Sequence, residues 1–197
     1  MSTTPAEPTL APPGAGLPVL ELYVARLVFR LRCFRGSREK HTADFMRERA
    51  TIRELVDSSD PVSRGTRVLI PRPRGLEDSS RHWSVWMTLD HLRITNISFA
   101  MVIKSLAKGV VPPGKASTAA VKPDPAVTQA VEAEYEKSCD FLLSVVESVN
   151  DLKTQARFEH PWFGPLNAAK WHAVAAMHMG LHREQIRQIL EGLRQVR

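Results

Sequence analysis

Two histidines four residues apart, His178 and His182, sit in a stretch patterned as an α-helix, and a third, His91, lies on the apolar face of an earlier one. Residues at i and i+4 of a helix project from one face a turn apart, so both imidazoles can reach one metal ion. A third imidazole from a facing helix would complete a three-nitrogen set with one coordination position open, the usual arrangement of a catalytic rather than a structural zinc site. Met177, Met179 and Leu181 flank the pair, and Ala175 and Ile189 fall near the same face, so the rings point inward or sit at its edge. An unpaired buried polar group costs roughly 1–3 kcal/mol, and a shared cation satisfies both rings at once. The candidate metal ligands are therefore His91, His178 and His182.

The remaining histidines read differently. His41, His82, His160 and His172 fall at a helix start, in loops or off the apolar stripe, and are expected as surface or structural groups. Asp90 and Glu184 neighbour the ligand positions but project from other faces; they are candidates to hydrogen-bond a ligand ring. Arg72, Arg74 and Arg183 are candidates for gripping an anionic substrate or thiol, weighed against a solvated surface role for each.

These side chains need elements to hold them. Leu20, Val24, Leu27, Val28, Leu31 and Phe34 recur at helical spacing with Glu21, Arg32 and Arg35 opposite, which predicts an amphipathic helix over residues 17–35. Gly36 is a stop and Ser37 a new N-cap for a helix carrying Phe45, Ile52, Leu55 and Val56, although one long kinked helix also fits. The connection 60–82, with Val68, Leu69 and Ile70 at its centre, is long for a compact domain and is expected to pack over one end of the bundle. A helix from Trp83 to about Leu106 then carries His91. Asp124 before Pro125 signals another helix start, with Val127, Val131, Tyr135, Leu142, Val146 and Val149 along its stripe. Asn167 reads as the N-cap of the last helix, with Leu166 and Trp171 placed as a hydrophobic staple. With no glycine-rich phosphate loop, no run of alternating strands and no internal repeat, the pattern is all-α: a four-helix bundle plus an extra N-terminal helix.

A chain of 197 residues with 43% hydrophobic residues is sized for one domain, here residues 18–197 after a tail at 1–17. That tail has no basic n-region and no apolar h-region, so it is not a secretory signal; its Pro, Ala and Gly content suggests disorder. The most apolar stretch, Leu17 to Phe34, carries Glu21, Arg26, Arg30 and Arg32, too many charges for a transmembrane segment. The net charge of +6 favours contact with something acidic, but no RNA-binding signature or zinc-finger spacing accompanies it, and nucleic acid ranks lowest among the partners. Cys33 and Cys139 read as small buried hydrophobes in a reducing compartment, and a cytoplasmic protein is the expectation.

The layout resembles the DinB-like superfamily of metal-binding four-helix bundles. The resemblance rests on WSVWMTLDHL (83–92), a histidine following an aromatic near the start of a helix, and on HMGLHREQI (178–186), which matches an H-x3-H-R-x-Q-I pattern. HPWFGPLNAAKW (160–171) also looks like the entry to the last helix in one uncharacterised branch, and the likeness covers roughly Ser37 to Arg197. It implies an open three-histidine site for zinc or nickel, often in a homodimer, with His91, His178 and His182 carried over as ligands. It also implies relatives that are isomerases and transferases using a low-molecular-weight thiol such as mycothiol or bacillithiol. The N-terminal helix and the connection 60–82 depart from the pattern.

Two functions follow. The first is a metal-dependent enzyme performing thiol transfer, isomerisation or hydrolysis on a small molecule, since a divalent ion on three neutral imidazoles keeps its charge and acidifies water or thiol. The alternative is a metal-stabilised interaction protein without activity. Its basic amphipathic helix 17–35 would then pack on a partner helix or an anionic membrane surface, unless that helix is simply an extra core or dimer helix.

Overall fold

A computed structural model describes residues 8–195. Five α-helices carry the fold: α1 (Val19–Arg35), α2 (Arg38–Asp57), α3 (Val85–Ala107), α4 (Val131–Ser148) and α5 (Ala168–Gln195). Side-chain caps set three of the starts. Ser37 Oγ accepts from Lys40 N, Ser84 Oγ from Met87 N, and Asn167 Oδ1 from Lys170 N, each satisfying an amide that the first helical turn leaves unpaired. Leu166 and Trp171, flanking the last of these caps, are both buried.

The choice between one kinked helix and two is settled at Gly36, which is extended (φ −97°, ψ 155°). A Cβ there would stand 2.3 Å from the His41 ring and 2.7 Å from Arg32 O, so the residue is glycine for close approach rather than for backbone freedom. The chain turns there, and the Arg32–Asp44 ion pair at 2.7 Å links the last turn of α1 to α2, while the rest of α1 lies against α5, Trp162 and Phe163.

Contacts across the bundle fix the helix directions. Thr42 meets His172 and Glu48 meets Arg183, so α2 and α5 are parallel. Trp86 meets Glu132 and Asn96 meets Ser138, so α3 and α4 are also parallel. His91 packs on His182 and Phe99 on Trp171, which makes α3 antiparallel to α5. Two consecutive parallel helices need a crossover, and residues 108–130 return along the length of α3 to supply it. Phe45, Ile52, Leu92, Ile103, Leu142 and Ile186 fill the centre.

Three sequence expectations change. Asp124 does not begin α4, which starts at Val131; its carboxylate caps a local turn at Ala126 N while its own amide donates to Asp90, tying the crossover to α3 instead of starting a helix. Two small antiparallel pairings appear where no strands were read: β1 (Val68–Leu69) with β2 (His82–Trp83), and β3 (Phe158–His160) with β4 (Gly164–Leu166). Each is too short to carry the period-two signal by which a strand is read from sequence.

The third change concerns α1. Its apolar stripe faces solvent: Leu20 is 77% exposed and Phe34 88%, with Val24, Leu27, Val28 and Leu31 exposed between them. The inward side is Phe29, stacked on Phe163, together with Glu21 and Arg32, because their ion pairs with Arg72 and Asp44 are made on the protein side. The reading of α1 as a core helix is therefore excluded. Ahead of it, the described part of the presumed tail is pinned through Gly14 N and Gly16 N to the Glu77 carboxylate and through Ala11 N to Asp78; residues 1–7 lie outside the described range.

Replacing Gly36 by alanine forces a methyl into the His41 ring. A loss of about 1–3 kcal/mol is expected in urea unfolding, and unchanged stability would show that the α1–α2 turn relaxes freely.

Candidate metal centre

His91 sits two turns into α3, and His178 and His182 sit one turn apart on the antiparallel α5, so the helix directions bring the three rings to one place. His178 Nε2 lies 3.2 Å from His91 Nε2 and 3.1 Å from His182 Nε2. Trp83 of β2, held just before α3, lies parallel to and offset from the His182 ring, with centroids 6.2 Å apart, and tilted against His91 at 5.2 Å.

The outer nitrogens decide what the inner ones can do. His91 Nδ1 donates to Val121 O at 2.6 Å, and His182 Nδ1 donates to Gln185 Oε1 at 2.7 Å. The Gln185 amide is itself oriented, because its Nε2 donates to Ser80 O at 2.7 Å. A neutral imidazole carries one N–H, so with both Nδ1 protons spent outward, His91 and His182 turn Nε2 lone pairs inward. Burial holds all three rings neutral: His91 is pushed down to about 4, and His178 and His182 well below the usual imidazole range, with the neighbouring imidazoles adding to the effect.

Converging lone pairs repel one another unless a cation lies between them. His178 can offer at most one N–H to the two lone pairs, and its Nδ1 is buried with no hydrogen-bond partner among the described residues. Tetrahedral zinc with Zn–N bonds near 2.0–2.1 Å sets its nitrogens about 3.4 Å apart, close to the spacings here. The residues therefore fit a divalent ion, and the set is three histidines with no fourth His, Cys, Asp or Glu among the described residues.

The rings open onto a cavity of about 330 Å³. On one flank Lys122 lies 5.3 Å over the Trp83 ring and pairs with Glu77 at 3.4 Å. On the other, Phe99 meets His178 edge-on at 5.5 Å and continues into Trp171 and Phe158.

Other candidates fall elsewhere. Asp90 is buried but accepts from Arg93 and Asp124 N, and Glu184 binds Arg187 and Gln188; neither touches a triad ring, because each leaves its helix on a different face. Ring support comes instead from Gln185, one turn beyond His182, and from the Val121 carbonyl. The first was visible as the glutamine of the motif, whereas a backbone carbonyl 30 residues away has no sequence signal. Arg72 pairs with Glu21 and Arg183 with Glu48, while Arg74 is exposed; none lines the cavity, whose cations are Lys115 and Lys122. His41 and His172 form a buried edge-on pair between α2 and α5, and His82 lies in β2. His160, in β3, lines the cavity.

A mostly helical bundle with three convergent imidazoles beneath a cavity defines a class of protein, and the comparisons name it. The sequence model of the DinB superfamily matches residues 4–186, and the chain belongs to that superfamily. The match reaches further toward the N-terminus than the likeness read from the motifs and takes in α1. Among solved structures, the four-helix bundle protein TT2238 is similar in fold, with a TM-score of 0.56 and 22% identity over 77% of this chain and 98% of that one. A comparison with curated proteins gives no match.

The metal-free protein is expected to lose stability in mild acid. Histidines held below their unfolded pKa of about 6.5 bind fewer protons folded than unfolded, so their contribution is complete above that value and is lost as pH falls toward about 4. Urea midpoints measured from pH 7.5 to 4.5 should fall steadily below 6.5. A flat profile would mean that the rings are not buried neutral.

Proposed function

We propose that this chain is a metal-dependent enzyme in which His91, His178 and His182 hold a divalent ion, zinc or nickel, at the floor of the cavity. The observation that carries the reading is the pair of inward Nε2 lone pairs, fixed by Val121 O and Gln185, with His178 Nε2 between them. Membership of a superfamily whose known members bind metal supports it. Both zinc and nickel accept imidazole nitrogen, and supply in the cell can decide which is held.

A bound ion would supply Lewis-acid chemistry, acidifying a water or thiol brought to it. The protein's own residues do the rest. Trp83 and the aromatic row exclude solvent on two sides, the Nδ1 hydrogen bonds keep the rings aimed, and the cavity admits a small molecule. Thiol transfer or isomerisation with a low-molecular-weight thiol, or hydrolysis, fits this arrangement. A reducing, cytoplasmic setting agrees with the two free cysteines, Cys139 buried and Cys33 half-buried. Among the described residues no helix is long and apolar enough to cross a membrane.

The expected result is close to one divalent ion per chain for protein purified without a metal-binding tag, and none for a variant with all three histidines replaced by alanine. Gln185→Leu should weaken metal affinity about 10–100-fold while leaving the helix content unchanged. No metal on the wild type, even after zinc and nickel are supplied, would overturn the proposal.

The surface of α1 supports a homodimer. Leu20, Val24, Leu27, Leu31 and Phe34 alternate intervals of four and three, the seam spacing of paired helices, and with Val19, Tyr23 and Val28 they expose apolar area on the scale of the ~800 Å² per partner of a standard interface. A seam of this period fits a second copy of α1 better than a membrane surface. Sedimentation should give a dimer for the wild type and a folded monomer for Leu27→Glu; a monomeric wild type would contradict the pairing.

A further inference from the structure

The cavity beside the triad has two unlike walls. Leading away from His178, Phe99, Trp171 and Phe158 form a continuous aromatic row, with ring centroids 5.6 Å and then 5.9 Å apart. Trp162, from the β3–β4 turn, extends that wall outward. Planar faces at these spacings favour a flat ring over a flexible aliphatic chain, because ring pairs gain from offset and edge contacts beyond the area they bury. The row contains one polar ring, His160, tilted against Trp171 at 5.2 Å. His160 Nδ1 accepts from Trp162 N at 3.1 Å, and burial pushes the imidazole down to about 4, so the neutral ring carries its proton on Nε2 as a donor.

A second part of the lining, from the crossover and the connection 60–82, is charged: Lys115 and Lys122 belong to it, with Glu77 as the one acidic residue. Glu77 is committed: its carboxylate accepts from Gly14 N, Gly16 N, Thr118 and Lys122, tying the N-terminal strand of chain and the crossover to the connection 60–82. Glu77 thus balances Lys122, and Lys115 has no acidic partner among the described residues. The excess is positive before any metal is counted. At about 330 Å³ the space lies at the small end of the roughly 300–1,000 Å³ range of small-molecule sites.

We propose that the cavity selects an aromatic carboxylate, its ring against Phe99, Trp171 and Trp162, its carboxylate drawn to the positive wall at Lys115 and the triad, and His160 Nε2–H offered to an oxygen on the ligand. This rests on the metal reading for the reactive end of the ligand but not for the aromatic wall. Sequence reading could not reach it, because the cavity is assembled from α3, α5, the connection 60–82, the crossover and the β3–β4 hairpin.

The test uses the full chain loaded with zinc, with metal content measured on the same samples, and three probes: phenylacetate, 2-phenylethanol and acetate. Calorimetry should show phenylacetate binding about tenfold or more tightly than either other probe. Trp162→Ala should weaken phenylacetate about tenfold and leave acetate unchanged, and Lys115→Glu should weaken it about fivefold. Equal affinity for acetate would overturn the aromatic wall as a selector, and equal affinity for 2-phenylethanol would overturn the anion preference. No binding of any probe to protein that holds its metal would overturn the whole inference while leaving the metal reading intact. Selective phenylacetate binding by protein that holds no metal would do the reverse, supporting the ring and charge selection and removing the metal from it.

Discussion

Two hydrogen bonds on the outer side of the triad set the chemistry of this protein. By donating Nδ1–H to Val121 O and to Gln185 Oε1, His91 and His182 are left with lone pairs facing His178 at just over 3 Å. Three neutral imidazoles in a buried space lose hydration, and an inward cluster of acceptors gains nothing in return without a positive charge among them. The surrounding structure holds that unfavourable arrangement in place. Ser80 fixes the Gln185 amide, the crossover delivers the Val121 carbonyl, and Trp83 covers two of the rings.

Helices α3 and α5 supply the three histidines, and the connections complete the cavity around them. The crossover 108–130 exists because α3 and α4 are parallel, and along its course it contributes Lys115, Thr118, Val121 and Lys122 to the cavity wall. The connection 60–82 adds Leu76, Glu77 and Ser80, and the β3–β4 hairpin adds Phe158, His160 and Trp162. Glu77, 4% exposed, is where the connection 60–82 meets the crossover and the N-terminal residues Gly14 and Gly16; burial opposes its ionisation, and hydrogen bonds from Gly14, Thr118 and Lys122 more than offset that cost and keep it charged. Most of the cavity wall is therefore loop carried on a helical scaffold, the usual construction of a binding site.

The helices and the His178–His182 pair were legible because both are local. Helix periodicity, the Ser37 and Asn167 caps and the H-x3-H interval each occupy a few consecutive residues, and the order of helices then places His91 opposite the pair. Apart from the two short strand pairings, the misreadings are tertiary. The stripe on α1 has the period of a buried face, and periodicity does not say whether a face meets its own core or another molecule. Asp124–Pro125 has the chemistry of a helix start, yet the tie to Asp90 uses it as a turn. Arg72 and Arg183 had the charge for anion binding, but Glu21 and Glu48 occupy them, and the cations that reach the cavity come from a loop with no pattern to read.

The central claim is that three imidazoles, and no fourth protein group, hold one divalent ion. X-ray absorption at the zinc edge of the loaded full-length protein tests it most directly. The account predicts three imidazole nitrogens at about 2.0–2.1 Å with a light non-protein atom completing the shell. A sulfur shell near 2.3 Å, or fewer than three imidazoles, would contradict it.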